Sequence, residues 1–209
     1  MTPPSPDAKT RSTWLRVFLL CLAAYTLTWS GRITFPDDEI QFRTAESLYE
    51  RGSFAIQPMD RRTGELRGRP TGSFGVAPNP HADDGSVYSF FGQGLAVAAV
   101  PFVPLGDALL AIDLELWRYA TRSDTQRYAK RSPRGDLRRM TVTWSSCLWA
   151  ALTTCVLGWW LLSLGLSLPA SLFASLAYGL GTAAWPYTST FLSEPLSALC
   201  LVGEIGRAH

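Results

Sequence analysis

Charge is the first thing missing from this chain. No Asp, Glu, Lys or Arg occurs from Met140 to Ser193. Over the whole 209 residues only 17% are charged, where about a quarter is usual for a soluble domain. A soluble helix must turn some face to water, so an uncharged stretch of that length argues against one. Histidine is almost absent too: His81 stands alone in a Pro/Asp/Gly-rich loop, and His209 ends the chain. This excludes a His-rich metal site, and no Ser/His/Asp arrangement can be assembled. The four cysteines, Cys21, Cys147, Cys155 and Cys200, lie in apolar segments with no CxxC spacing. That excludes a disulfide framework and a zinc knuckle, and leaves them as small buried hydrophobes. The glycines of Tyr88-Ser89-Phe90-Phe91-Gly92-Gln93-Gly94 come without a phosphate-loop lysine, so they read as a bend rather than a nucleotide cradle. With a net charge of +2, nothing assigns a nucleic-acid partner.

What is present is apolar length. Hydrophobic residues make up 47% of the chain, and a membrane span needs roughly 20 of them in a row. The sequence therefore reads as an integral membrane protein. Residues 1–13 form a Pro-rich polar tail, with Lys9, Arg11 and Arg16 at or near the start of the first expected span, Trp14–Trp29. The basic start puts the N-terminus in the cytoplasm, and the missing small-x-small site argues for an uncleaved anchor. Residues 30–140 are a long polar region. A second span is expected over Thr141–Leu164, a third over Pro169–Tyr187, and a further segment begins at 193–203. Ser167 and Pro169 suit the start of the third. Residues 204–209 look foreign, because their codons could be those of a sequencing adapter. A coding sequence cut near Gly203 is the expectation.

One apolar interruption, Phe90–Ile112, decides the topology. Its unbroken core is only Leu95–Leu105, with Pro101 and Pro104 expected to break it. A stretch of about 10–14 residues suits an interfacial segment, and then 30–140 stays external. If instead it spans, Leu114–Met140, with eight Lys/Arg and three Asp/Glu, becomes cytoplasmic as the positive-inside tendency prefers. Both readings stand at this point.

The candidate site residues are few. Asp37, Asp38 and Glu39 are expected to precede a helix over Ile40–Arg51, ended by Gly52. Asp38 with Gln41 has capping-box spacing, and acids suit a helix start. Glu194 is the one charge between Met140 and Gly203. An ionisable group at membrane depth is costly, which marks a functional candidate, although Ser193-Glu194-Pro195 also reads as a helix start. Arg134, Arg138 and Arg139 sit where the second span begins, and guanidinium forks suit phosphate as well as interface anchoring.

These pieces, in this order, resemble the multi-spanning membrane glycosyltransferases of the GT-C fold, such as protein mannosyltransferases, aminoarabinose transferases and Rgt-type enzymes. Asp38-Glu39 with Ala45-Glu46-Ser47-Leu48 and Gly52 resembles the acidic start of the family's first external loop. Tyr88–Gly94 with Pro101 resembles its juxtamembrane helix. Ala177–Thr182 through Trp185-Pro186-Tyr187 to Ser193-Glu194-Pro195-Leu196 resembles the approach to its second external loop. The resemblance implies an all-α integral membrane protein, a GT-C-like helical bundle fragment with a long external first loop containing interfacial helices, in a bacterial plasma membrane.

It also implies transfer of a sugar from a polyprenyl-phosphate donor to a lipid, glycan or protein acceptor. Asp38 would be the general base, with Asp37 behind it. Glu194 and Glu39 would position the acceptor or a metal, and Arg134, Arg138 and Arg139 would hold the donor phosphate. No cofactor is assigned, and a divalent metal ion is left open. Polyprenyl-linked sugar and membrane lipid are the expected partners. A non-enzymatic transporter subunit and a membrane-anchored assembly protein are the alternatives.

Overall fold

The computed structural model describes residues 8–33, 35–56, 76–78, 87–112 and 132–207. His81, most of the basic stretch before Met140, and the outermost residues of both tails lie outside the described residues. The described chain is mostly helical and divides into two units. One holds Met1–Ser30, Ser146–Ser189 and Ser193–His209, and the other Gly31–Ser145 with Thr190–Leu192.

The first unit contains α1 (Ala8–Thr28), which covers the first expected span up to Thr28. Trp14, Val17, Cys21 and Tyr25 are buried on it, a spacing of three and four residues that gathers them on one face. The uncharged stretch supplies its partners. Helix α5 (Pro133–Ser163) runs from the second unit into the first. It ends in a Schellman turn: Leu166 N donates to Leu161 O, Gly165 N donates to Leu162 O, and Gly165 takes φ +88°. Helix α6 (Leu168–Gly181) follows, with Ser167 at its N-cap position and Pro169 in its first turn. The Ser167 hydroxyl makes no capping bond.

Small residues let these helices meet closely. On α6, Ser171, Ser175 and Gly179 are buried at four-residue intervals, the pattern that brings helix backbones together. The Tyr25 hydroxyl donates to Gly179 O at 2.9 Å. A Cβ on Gly158 would collide with the Trp14 ring. The expected third span is interrupted: α6 stops at Gly181, and a separate turn, α7 (Ala184–Tyr187), follows. Its Trp185 donates its indole N–H to the Thr28 hydroxyl at 2.8 Å. Helix α8 (Glu194–Arg207) continues past Gly203 without a break.

The second unit is built on α2 (Pro36–Arg51), closed by Gly52 at φ +63° with its N–H on Leu48 O. Strands β1 (Val76–Pro78) and β2 (Val87–Ser89) pair antiparallel, Val76 opposite Ser89. Ile56 N extends this edge by donating to Val87 O at 2.7 Å. Then come α3 (Gly94–Ala99), a 3-10 turn over Val100–Phe102, and α4 (Val103–Ile112). The α-helix is interrupted at Pro101, but the helical run continues through the 3-10 turn to Ile112. Pro101 sits in the first positions of the 3-10 turn, where a missing N–H costs no helical bond.

Among the described residues, two helical runs are long and apolar enough to cross a membrane, Gly94–Ile112 and Pro133–Ser163. The first was expected to lie in the interface. Helix α1, expected as the first span, is not one of them, since Lys9, Arg11 and Arg16 fall inside it. Helix α6 is apolar but has only 14 residues.

The Gly158 approach is testable. Gly158→Ala should destabilise the purified protein by about 1–3 kcal/mol through overpacking. Trp14→Leu in the same chain should recover part of that loss, measured by chemical denaturation in detergent.

Candidate functional site

Helix α2 starts four residues earlier than its apolar pattern suggests. Pro36, with its fixed φ, takes the first turn, and Phe35 is the N-cap. The three acids therefore lie within the first turn instead of preceding it. This corrects the capping-box reading, as Asp38 is not at the cap and no side chain caps the helix. The acids still meet the positive end of the helix dipole.

Each acid has a different setting. Asp37 is half-buried. Asp38 is fully buried, and its Oδ2 accepts the Phe191 backbone N–H at 3.3 Å. Phe191 is fully buried too, so this contact ties the Thr190–Leu192 segment to the start of α2. Glu39 is clasped by two arginines. Its Oε1 accepts from Arg43 Nε and Arg139 Nη2, both at 2.8 Å, and its Oε2 accepts from Arg139 Nε at 2.9 Å. Burial works to raise the Glu39 pKa. The charges and hydrogen bonds of Arg139 and Arg43 outweigh it and hold the carboxyl below the ordinary glutamate value. The Arg139 guanidinium also lies 4.9 Å from the centroid of the buried Phe42 ring, a favourable cation–π distance.

The neighbouring arginine serves a separate cluster, because consecutive residues on a helix point about 100° apart. Arg138 is 4% exposed. Its Nε and Nη2 reach Asp107 Oδ1 and Oδ2, each at 2.8 Å, and its Nη1 reaches Glu46 at 3.1 Å and Glu50 at 2.5 Å. The fork-to-fork pair is possible because α4 lies against the backbone of α5. A Cβ on Gly106 would be 2.6 Å from Arg138 Cα. Beside it the Thr141 hydroxyl lies 2.7 Å from Phe102 O. Arg134 shares Asp107 at 3.1 Å but remains 61% exposed.

The structure thus joins Glu39 to Arg139, and Arg134 and Arg138 to Asp107. The expected phosphate role changes accordingly. Arg138 and Arg139 are occupied by carboxylates, and Arg134 is the member of the trio that presents its guanidinium to solvent. Glu194 is exposed in the first turn of α8 and belongs to the other unit.

A divalent metal does not fit at Glu39, whose two oxygens already hold two guanidinium groups. Among the described residues no three His, Cys, Asp or Glu side chains are gathered to hold a metal ion. Asp107, Glu46 and Glu50 were missed from sequence as parts of this site. The signal for Asp107 was available, since it is an acid inside an apolar run. Comparison with protein-family models, curated proteins and solved structures finds no match.

Two outcomes follow from the ion pairs. Arg138→Met leaves the half-buried Asp107 and Glu46 carboxylates without their counter-charge and should cost about 1.5–3 kcal/mol in unfolding free energy, measured by chemical denaturation. For Glu39 the folded pKa is depressed, so its stabilisation is complete above the unfolded glutamate pKa of about 4.3 and fades as pH falls through the lower folded value. Glu39→Gln should therefore be less stable than the parent at neutral pH. The gap should close on acidification below about pH 4, read from melting temperatures across that range.

Proposed function

We propose that this chain is a membrane glycosyltransferase that moves a sugar from a polyprenyl-phosphate donor, with Asp38 as general base. Its N-terminus is cytoplasmic, and residues 30–140 lie outside a bacterial plasma membrane. The observation that carries the proposal is the burial of one carboxylate, Asp38, in the first turn of α2 beside the Phe191 backbone N–H. A carboxylate held in a fixed place can take the proton of a hydroxyl brought within hydrogen-bond reach. The order of acidic start, glycine bend and Glu194 segment supports the same reading.

In the proposed reaction the acceptor oxygen bonds to the anomeric carbon as the carbon–oxygen bond to the lipid phosphate breaks. The phosphate leaves with the bonding electron pair, and Asp38 takes the acceptor's proton. The acceptor hydroxyl would replace the Phe191 N–H as the Asp38 partner. Arg134 offers the exposed guanidinium for the departing phosphate.

The same Phe191 contact favours a second reading, a membrane-anchored assembly protein in which Asp38 is a strut between α2 and residues 190–192. Membranes containing the protein encoded by the genomic locus decide between them, using radiolabelled polyprenyl-phosphate sugar. On the enzyme reading Asp38→Asn lowers transfer about 100-fold or more, with the membrane protein level unchanged and Asp37→Asn active. Full transfer by Asp38→Asn removes Asp38 from the mechanism. Loss of the folded protein supports the strut.

A further inference from the structure

The end of α6 leaves acceptors without donors. An α-helix points its last carbonyls out of its C-terminal end, where no further helical N–H reaches them. At Gly181 no left-handed glycine closes the helix as Gly52 closes α2. Thr182 is extended at φ −121°, and the next amides are used elsewhere. Ala184 N donates to the Thr182 hydroxyl at 3.2 Å, and Trp185 N donates to Thr182 O at 3.4 Å. Among the described residues no backbone N–H returns to Leu180 O or Gly181 O. Both carbonyls stand at the negative end of the α6 dipole.

A groove of about 500 Å³ opens at this point, within the first unit. Thr28, Leu180, Gly181, Thr182, Trp185 and Ser189 line it, together with Pro186. None of these residues is charged, and nearly all of their polar atoms are acceptors. The Thr182 hydroxyl donates to Tyr178 O at 2.6 Å, and the Thr28 hydroxyl donates to Ala24 O at 2.9 Å. Both protons are committed, so each oxygen faces a ligand with lone pairs only. The Trp185 indole N–H is spent on the Thr28 hydroxyl at 2.8 Å, and Pro186 has no N–H to give. That bond, and an edge contact with the Tyr25 ring 6.3 Å away between centroids, hold the indole in place as one wall.

This balance selects the ligand. A phosphate or carboxylate brings only acceptors and would meet lone pairs. An acyl chain would leave both carbonyls unpaired, and a sugar brings oxygens that need donors of their own. A primary ammonium brings three donors and no acceptor. Its positive charge suits a helix C-terminus and an indole ring alike. We infer that the groove at the end of α6 binds a primary ammonium group, carried by a lipid headgroup such as phosphatidylethanolamine or by a small free amine. The inference needs neither catalysis nor Asp38.

The test uses the chain labelled with fluorotryptophan in a nonionic detergent. Trp185→Phe removes one fluorine NMR signal and so assigns it. Ethanolammonium chloride should shift that signal saturably. Sodium chloride, ethylene glycol and tetramethylammonium chloride at the same concentrations should not. Absence of a saturable shift overturns the inference, and so does an equal shift with ethylene glycol or tetramethylammonium. Ser189 then tests the sign of the charge. Ser189→Glu should tighten the apparent Kd about two- to five-fold. Ser189→Lys should weaken it by at least as much, because its own ammonium competes. Parental affinity in both variants, or in the one that folds where the other does not, overturns the inference. Phosphatidylcholine nanodiscs with and without phosphatidylethanolamine identify the source. A shift produced by the phosphatidylethanolamine discs alone supports the inference with the lipid headgroup as ligand. A shift that still requires added ethanolammonium supports it with a free amine as ligand.

Discussion

Everything in the second unit turns on the burial of one guanidinium. Arg138 is withdrawn from water on α5, and the cost of removing a charge from water is recovered only with good geometry and several acceptors. Three acids meet that demand, Asp107 from α4 and Glu46 and Glu50 from α2. Asp107 can meet it only because Gly106 lets α4 touch the α5 backbone. Glycine, aspartate and arginine thus form a single device that fixes three helices around one charge. Arg139 and Glu39 repeat it one residue along.

That arrangement shifts the meaning of the arginines. At the sequence level Arg134, Arg138 and Arg139 are one basic patch at a membrane surface, open to phosphate. In the fold two of them are internal counter-ions, and their carboxylates come from α2 and α4. Pairing of this kind helps place the first turn of α2, and with it Asp38. Glu39 carries the electrostatic attachment, while Asp38 meets a backbone amide from residues 190–192.

Much of the helical layout was legible in the sequence, for reasons that are local. The Gly52 and Gly165 stops need only a left-handed residue after a helix, and both glycines take positive φ. The uncharged stretch marks α5 and α6 because nothing else explains it. What was not legible depends on partners far along the chain. Asp107 pairs with a residue 31 positions away, and Arg138 with one 92 positions away. No spacing rule reaches that far. The start of α2 was missed for another reason. Three acids and a proline look like a loop until their value at a helix N-terminus is counted, and Pro36 then belongs inside the helix.

The prolines near Val100 teach a related lesson about length. Pro101 and Pro104 suggest a broken segment, and a broken segment suggests an interfacial one. The α-helix does change to a 3-10 turn at Pro101, but the turn absorbs it and the helical run goes on to Ile112. Length alone would then argue for a crossing. Packing adds a second constraint, because this run lies beside α2, which carries seven charged residues, and against α5 where its charges end. An apolar helix moves only with the polar elements it is tied to, and α2 is tied to α4 and α5 by Arg138.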